Sequence, residues 1–157
     1  MENSMKSVTG IFFISAGLLL LLTSLAKLIS SLGAAPILHY PDPIFLLSFR
    51  TVFRMVGLIE LFIAFQCLSG GNALLKAYLV FWMSAGFLAY RLGLAWMGYH
   101  RPCHCMGNLT DALGVPPDWA DWAMKLILGY LFFGSNAILL FFWRKRKVMA
   151  RLRQDDK

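Results

Sequence analysis

Two cysteines one residue apart stand in the run Pro102-Cys103-His104-Cys105-Met106-Gly107, with His100 just upstream. A disulfide needs its two Cα atoms about 4.4–6.8 Å apart. Residues two apart meet that limit only in a bent backbone, and the closed ring is strained. Strained disulfides have the higher reduction potentials of labile, exchanging pairs. Pro102 and Gly107 flank the pair and suit such a bend, and protonated His100 or His104 would favour the reactive thiolate. The spacing therefore suits a redox pair better than a structural staple, since closing so short a loop removes little chain entropy. A rival use is copper or zinc handling by His100, Cys103, His104 and Cys105, because thiolates select Cu(I) and zinc. Adjacent residues share one tetrahedral ion poorly, and no second cluster completes the ligand set, so no metal ligands are assigned. Cys67, alone in an apolar run, is expected to be a small buried side chain.

A second constellation is ionisable: Lys27, Arg50, Arg54, Glu60, Arg91 and Lys125 all fall inside long apolar runs. Charges at membrane depth are costly, and they face a bundle interior, a cavity or the interface. Lys27, Arg50 and Lys125 lie close enough to a run's end to snorkel to the headgroups. Arg54 and Arg91 lie deeper, and Arg50 and Arg54 share a helical face. Together these residues outline a polar pocket under the cysteine loop. There Arg54 and Arg91 would hydrogen-bond a quinone carbonyl or an anionic sulfur substrate, and Glu60 would pair with an arginine across helices.

These groups need a scaffold, and the composition names it. Of 157 residues, 59% are hydrophobic and 15% charged, with mean hydropathy +0.64. A soluble domain carries about 25% charged residues. Apolar runs of about 20 residues span the hydrocarbon core as helices. Lipid offers the backbone no hydrogen-bond partners, so each span must satisfy its own. Spans are predicted at about 8–31, 44–68, 73–97 and 122–143, the first expected to remain uncleaved. Pro36, Pro41 and Pro43 interrupt the chain between the first two, Ser69-Gly70-Gly71-Asn72 signals a tight turn, and the longest loop runs from Gly98 to Asp121. The expected fold is all-α, an integral membrane up-down four-helix bundle over residues 1–143, with a basic tail over 144–157. Ala85, Ala89 and Gly93 form a small-residue stripe on the third span, suited to close helix packing.

The net charge of +7 gathers in Arg144-Lys145-Arg146-Lys147 and the residues after it, directly behind the last apolar run. That pattern marks a cytoplasmic anchor rather than a nucleic-acid surface. An even number of spans then puts both termini in the cytoplasm of a cell inner membrane and the cysteine loop on the periplasmic or extracellular side. Trp96, Trp119 and Trp122 fall at the outer boundary and Trp143 at the inner one, as aromatic belts do. The Asn108-Leu109-Thr110 acceptor motif is too short to carry weight.

The chain resembles the MauE branch of the DoxX-like small four-span membrane proteins. The matching residues are Cys103, Cys105 and Gly107 in the loop after the third span, Lys27 near the outer end of the first and Glu60 in the second. Met106 stands where the family has an aromatic residue, His104 separates the cysteines, and Arg50 and Arg54 lie outside the family pattern. The resemblance implies thiol redox chemistry and disulfide-dependent maturation of an exported partner, a thioredoxin-like or dehydrogenase protein, with quinone as a possible electron carrier and methylamine utilisation as one setting. It raises a thiol–disulfide or quinone-linked oxidoreductase above the two other classes, a non-catalytic membrane assembly factor and a metal-handling loop. Reporter fusions test the orientation: a reporter active only outside the cytoplasm should work when joined within 99–116 and stay silent when joined at Gly70, and the reverse would overturn it.

Overall fold

The computed structural model describes residues 2–33, 36–98 and 117–155. Among the described residues it is an all-α up-down bundle of four helices: α1 (Glu2–Leu32), α2 (Phe49–Leu68), α3 (Ala73–Trp96) and α4 (Pro117–Asp155). Each contains a stretch long and apolar enough to cross a membrane, so the fold is that of a multi-pass membrane protein. A short 3-10 turn, Pro36–His39, lies between α1 and α2.

The lipid-facing side of α1 is legible residue by residue. Val8, Ile11, Ile14, Leu18, Leu22, Leu25, Ile29 and Leu32 are exposed and recur at three- and four-residue steps, while Phe12, Phe13, Ala16, Leu20, Ser24 and Ser31 point inward. Large aliphatics thus face outward, and the inward side combines phenylalanine and leucine with small residues that admit close helix approach. This is the packing expected where lipid, being as apolar as leucine, gives no hydrophobic drive for helices to associate. The α1–α2 seam is the most extensive in the bundle, followed by α3–α4. Glycines let the first pair close. A Cβ on Gly57 would stand 3.0 Å from Leu28 Cγ and 3.4 Å from the Ser24 carbonyl oxygen, and one on Gly17 would stand 3.1 Å from Cys67 Cβ. These contacts fix the antiparallel register, with Gly57 level with the Ser24–Leu28 turn. At the α1–α4 contact, a Cβ on Gly134 would collide with the Phe12 ring.

Two ends can be distinguished. At the turn end, Asn72 caps α3 by accepting from Leu74 N at 3.0 Å. Lys76 closes α2, its Nζ donating to Cys67 O at 3.0 Å and to Ser69 O. A cation at a helix C-terminus meets both the unsatisfied carbonyls and the negative end of the helix dipole. The packed core lies in this half: Phe12, Phe13, Leu20, Ile63, Ala64, Cys67, Ala77, Val80 and Leu131. Cys67 is buried there, 2% exposed.

At the loop end the chain departs from the helix expected from residue 44, and α2 begins at Phe49. The reason is Asp42. Its Oδ1 accepts from the backbone N–H groups of Ile44 and Phe45, both at 2.9 Å, and its own N–H donates to Leu47 O at 2.7 Å. An aspartate that captures following amides competes with the helix for them, and Ser48 then supplies the N-cap. At the other extremes α1 starts earlier than residue 8, and α4 runs as one helix past 143 through most of the basic tail.

Substituting Gly57 by leucine should lower the unfolding midpoint in detergent, with an overpacking cost of about 1–3 kcal/mol. Gly10→Leu, where a Cβ meets nothing within 4 Å, should leave the midpoint unchanged. Equal melting of the two variants would contradict the described seam.

Candidate functional site

The site is a cavity in the loop half of the bundle, about 300 Å³ in volume, walled by all four helices and by Phe45. That volume is at the lower end for pockets that hold small organic ligands, about 300–1,000 Å³. Its wall is almost wholly apolar and aromatic, and includes Phe49, Phe53, Trp82, Phe87, Met83 and Met124.

One ion pair interrupts this wall. Lys27 Nζ donates to both Glu60 oxygens at 2.8 Å. The two residues are 4% and 1% exposed. They come from different helices and from different levels, Lys27 standing about one turn, some 5 Å, nearer the loop end. Side chains on a helix lean toward its N-terminus. On antiparallel helices Lys27 therefore leans away from the loop end while Glu60 leans toward it, and the two meet between. Thr23 lies within hydrogen-bonding reach of the carboxylate, with Leu20 O, 3.1 Å away, as its alternative acceptor. Lys27 Nζ also lies 5.3 Å from the Phe87 ring centroid, close enough for a cation–π attraction that ties α1 to α3. Both charges are thus compensated inside the bundle, as buried charges must be.

Lys27 consequently does not snorkel, and the partner of Glu60 is a lysine rather than an arginine. Arg91 pairs instead with Asp121 across the α3–α4 contact, and Lys125 Nζ meets the same carboxylate at 2.7 Å. Arg91 still lines the cavity. Arg54 is exposed on the bundle surface and lies outside the wall. Arg50 also lies outside it: one of its terminal amino groups donates to Gly33 O at 3.0 Å, closing the end of α1. Of the predicted pocket residues, the structure brings Lys27, Glu60 and Arg91 to one cavity and leaves Arg50 and Arg54 apart. His100, Cys103, His104, Cys105 and Gly107 lie outside the described residues. Their segment joins the loop end through Gly98 and Pro117, the end at which Arg91 meets Asp121.

Three contributors, Asp42, Tyr90 and Phe45, were not singled out from sequence. Asp42 is fully buried and accepts a hydrogen bond from the Tyr90 hydroxyl through Oδ2. Phe45 stacks on the Tyr90 ring, centroids 5.7 Å apart and planes 11° from parallel. Together they latch the 41–48 loop onto α3 above the cavity. The Pro41-Asp42-Pro43 triplet carried a local signal for Asp42, since aspartate beside proline favours turns closed by its own side chain. Nothing local marked Tyr90.

Comparison with protein families, with curated proteins and with solved structures finds no match to this chain.

A double-mutant cycle should expose the coupling of the pair. Lys27→Met or Glu60→Leu alone leaves one uncompensated buried charge and should cost about 3–5 kcal/mol, whereas the double variant should cost far less than the sum. Additive losses would show that the two groups are not coupled.

Proposed function

We propose that this chain is a membrane thiol–disulfide redox protein in which Cys103 and Cys105 exchange electrons with an exported partner and a quinone in the cavity serves as the membrane-side carrier. The observation that carries this function is the buried Lys27–Glu60 pair in the wall of a largely apolar cavity that Arg91 also lines. A cavity lined by aliphatic and aromatic groups, with a few convergent polar atoms, favours a flat apolar ligand bearing hydrogen-bond acceptors. Both members of the pair are also among the residues on which the resemblance to the MauE branch rests, together with Cys103, Cys105 and Gly107. In this scheme the dithiol of Cys103 and Cys105 loses two electrons and two protons as the sulfur–sulfur bond forms. The quinone takes up the same two electrons and two protons to give the quinol. The Lys27 ammonium would donate to a carbonyl oxygen, and the neighbouring Glu60 carboxyl would accept or return a proton.

The basic tail supports placing the loop end, and with it the cysteines, on the non-cytoplasmic side of the inner membrane. An exported thiol protein would reach the cysteines there.

The test uses the full chain in lipid nanodiscs, reduced and then freed of reductant. Decylubiquinone should convert Cys103 and Cys105 from alkylatable to alkylation-resistant, with one quinol formed per disulfide. A Cys103→Ser/Cys105→Ser variant should form no quinol. Cysteines that stay alkylatable in the presence of excess quinone would sink the proposed electron path. Full partner maturation by the double serine variant would favour a non-catalytic assembly factor.

A further inference from the structure

Toward the loop end the cavity is covered by a latched ring pair whose Phe45 is itself 52% exposed, and on one flank its lining reaches the outer surface of the bundle. At the loop end, Phe45 and Tyr90 stack over it and Asp42 holds the Tyr90 hydroxyl. Ile44 reinforces this cover, because a Cβ on Gly93 would stand 3.1 Å from Ile44 Cδ1. At the turn end, the packed core fills the bundle. Two flanks are sparsely packed, α1–α4 and α2–α3, and the lining reaches the outer surface on the second. Helices α2 and α3 are joined by the 69–72 turn but touch one another sparsely, far less than α1 touches α2 or α3 touches α4. Three cavity-lining residues on this flank also lie on the outer surface of the bundle: Ile59 on α2, 51% exposed, and Trp82 and Gly86 on α3. A Cβ on Gly86 would meet nothing within 4 Å. These residues stand near the middle of their spans, where the surroundings are hydrocarbon.

We propose that this gap is a lateral window through which the cavity takes its ligand directly from the bilayer, and that the ligand is a prenyl-tailed quinone whose tail remains in the window while its headgroup reaches Lys27 and Glu60. The quinone headgroup is the one point taken from the proposed function; the window itself follows from the covered loop end, the filled turn end and the exposed lining between α2 and α3. A molecule loaded this way needs no aqueous passage. An apolar tail leaving between Ile59 and Trp82 passes only apolar side chains before it meets lipid. A water-soluble ligand, by contrast, would have to part the Asp42–Tyr90 latch.

The experiment uses the full chain with Cys103→Ser/Cys105→Ser in nanodiscs, so that labelling does not depend on redox turnover. The probe is a benzoquinone with a farnesyl-length tail carrying a photoactivatable group on the tail, at the stretch that would lie in the window. It should label peptides containing Ile59 and Trp82. Gly86→Trp, which places bulk in the window at a position with free space, should slow labelling about tenfold, equivalent to an access barrier raised by about 1.4 kcal/mol. Gly86→Leu should slow it to a lesser degree and guards against misfolding of the tryptophan variant. Leu22→Trp, on the lipid face of α1, should change nothing. Tyr90→Phe, which frees the latch, tests the competing route: entry at the loop end would make it speed labelling severalfold. The window is overturned if both Gly86 variants label at the unaltered rate, or if Tyr90→Phe accelerates labelling severalfold while the Gly86 variants do not slow it. Normal labelling together with no quinol formation by the cysteine-containing protein would leave the window standing and remove the redox function instead.

Discussion

An ammonium and a carboxylate cannot stand alone among aliphatic side chains near the middle of a membrane, and the Lys27–Glu60 contact is what lets this chain keep both. In such surroundings their attraction is far stronger than in water, and so is the cost of separating them. The pair therefore acts as a registry pin. Sliding α1 along α2 by one turn would part it, and the close approaches at Gly17 and Gly57 would be lost in the same movement. Polar satisfaction and small-residue packing thus select the same alignment of the α1–α2 hairpin.

The rest of the bundle divides around this pin. Toward the turn end, phenylalanine, leucine and alanine fill the interior, and Lys76 closes α2. Toward the loop end, large rings line a space that they do not fill. The difference is partly one of connection. The 69–72 turn is short and draws α2 and α3 together, whereas at the opposite end α3 meets the α1–α2 hairpin through the 41–48 loop, held by Asp42, Tyr90 and Phe45. A loop that folds on its own aspartate makes a separate cap, and a cavity can persist beneath it.

The charged residues of the spans take four different roles that their positions along the chain do not distinguish. Lys27 and Glu60 compensate each other in the cavity wall. Arg91, Asp121 and Lys125 form a cluster joining α3 to α4 at the loop end. Arg50 closes a helix end through Gly33 O, while Arg54 stays on the surface. Each arrangement limits the cost of charge within apolar surroundings by a different route: a buried partner, a partly exposed network, a backbone carbonyl, or the interface.

The sequence by itself determined the class of fold. Four long apolar runs in an environment without hydrogen-bond partners admit helices, and the short turn at 69–72 makes two of them antiparallel neighbours. Which side of α1 faces lipid was decided by tertiary structure, because the run Leu18–Leu22 is apolar on every side of the helix. The start of α2 was misjudged because apolarity at 44–47 signals a span, while the hydrogen bonds that hold those residues in a turn come from one aspartate side chain. Lys27 and Glu60 were legible as a lysine and a glutamate at costly depth, but not as partners. Counted from the span ends they lie at different levels, and only the offset of α1 against α2, with the opposite lean of their side chains, brings them together. The cavity, the Tyr90 latch and the separation of Arg54 from Arg91 likewise belong to tertiary structure alone. They depend on how four helix faces rotate and tilt against one another, and no local run of residues carries that information.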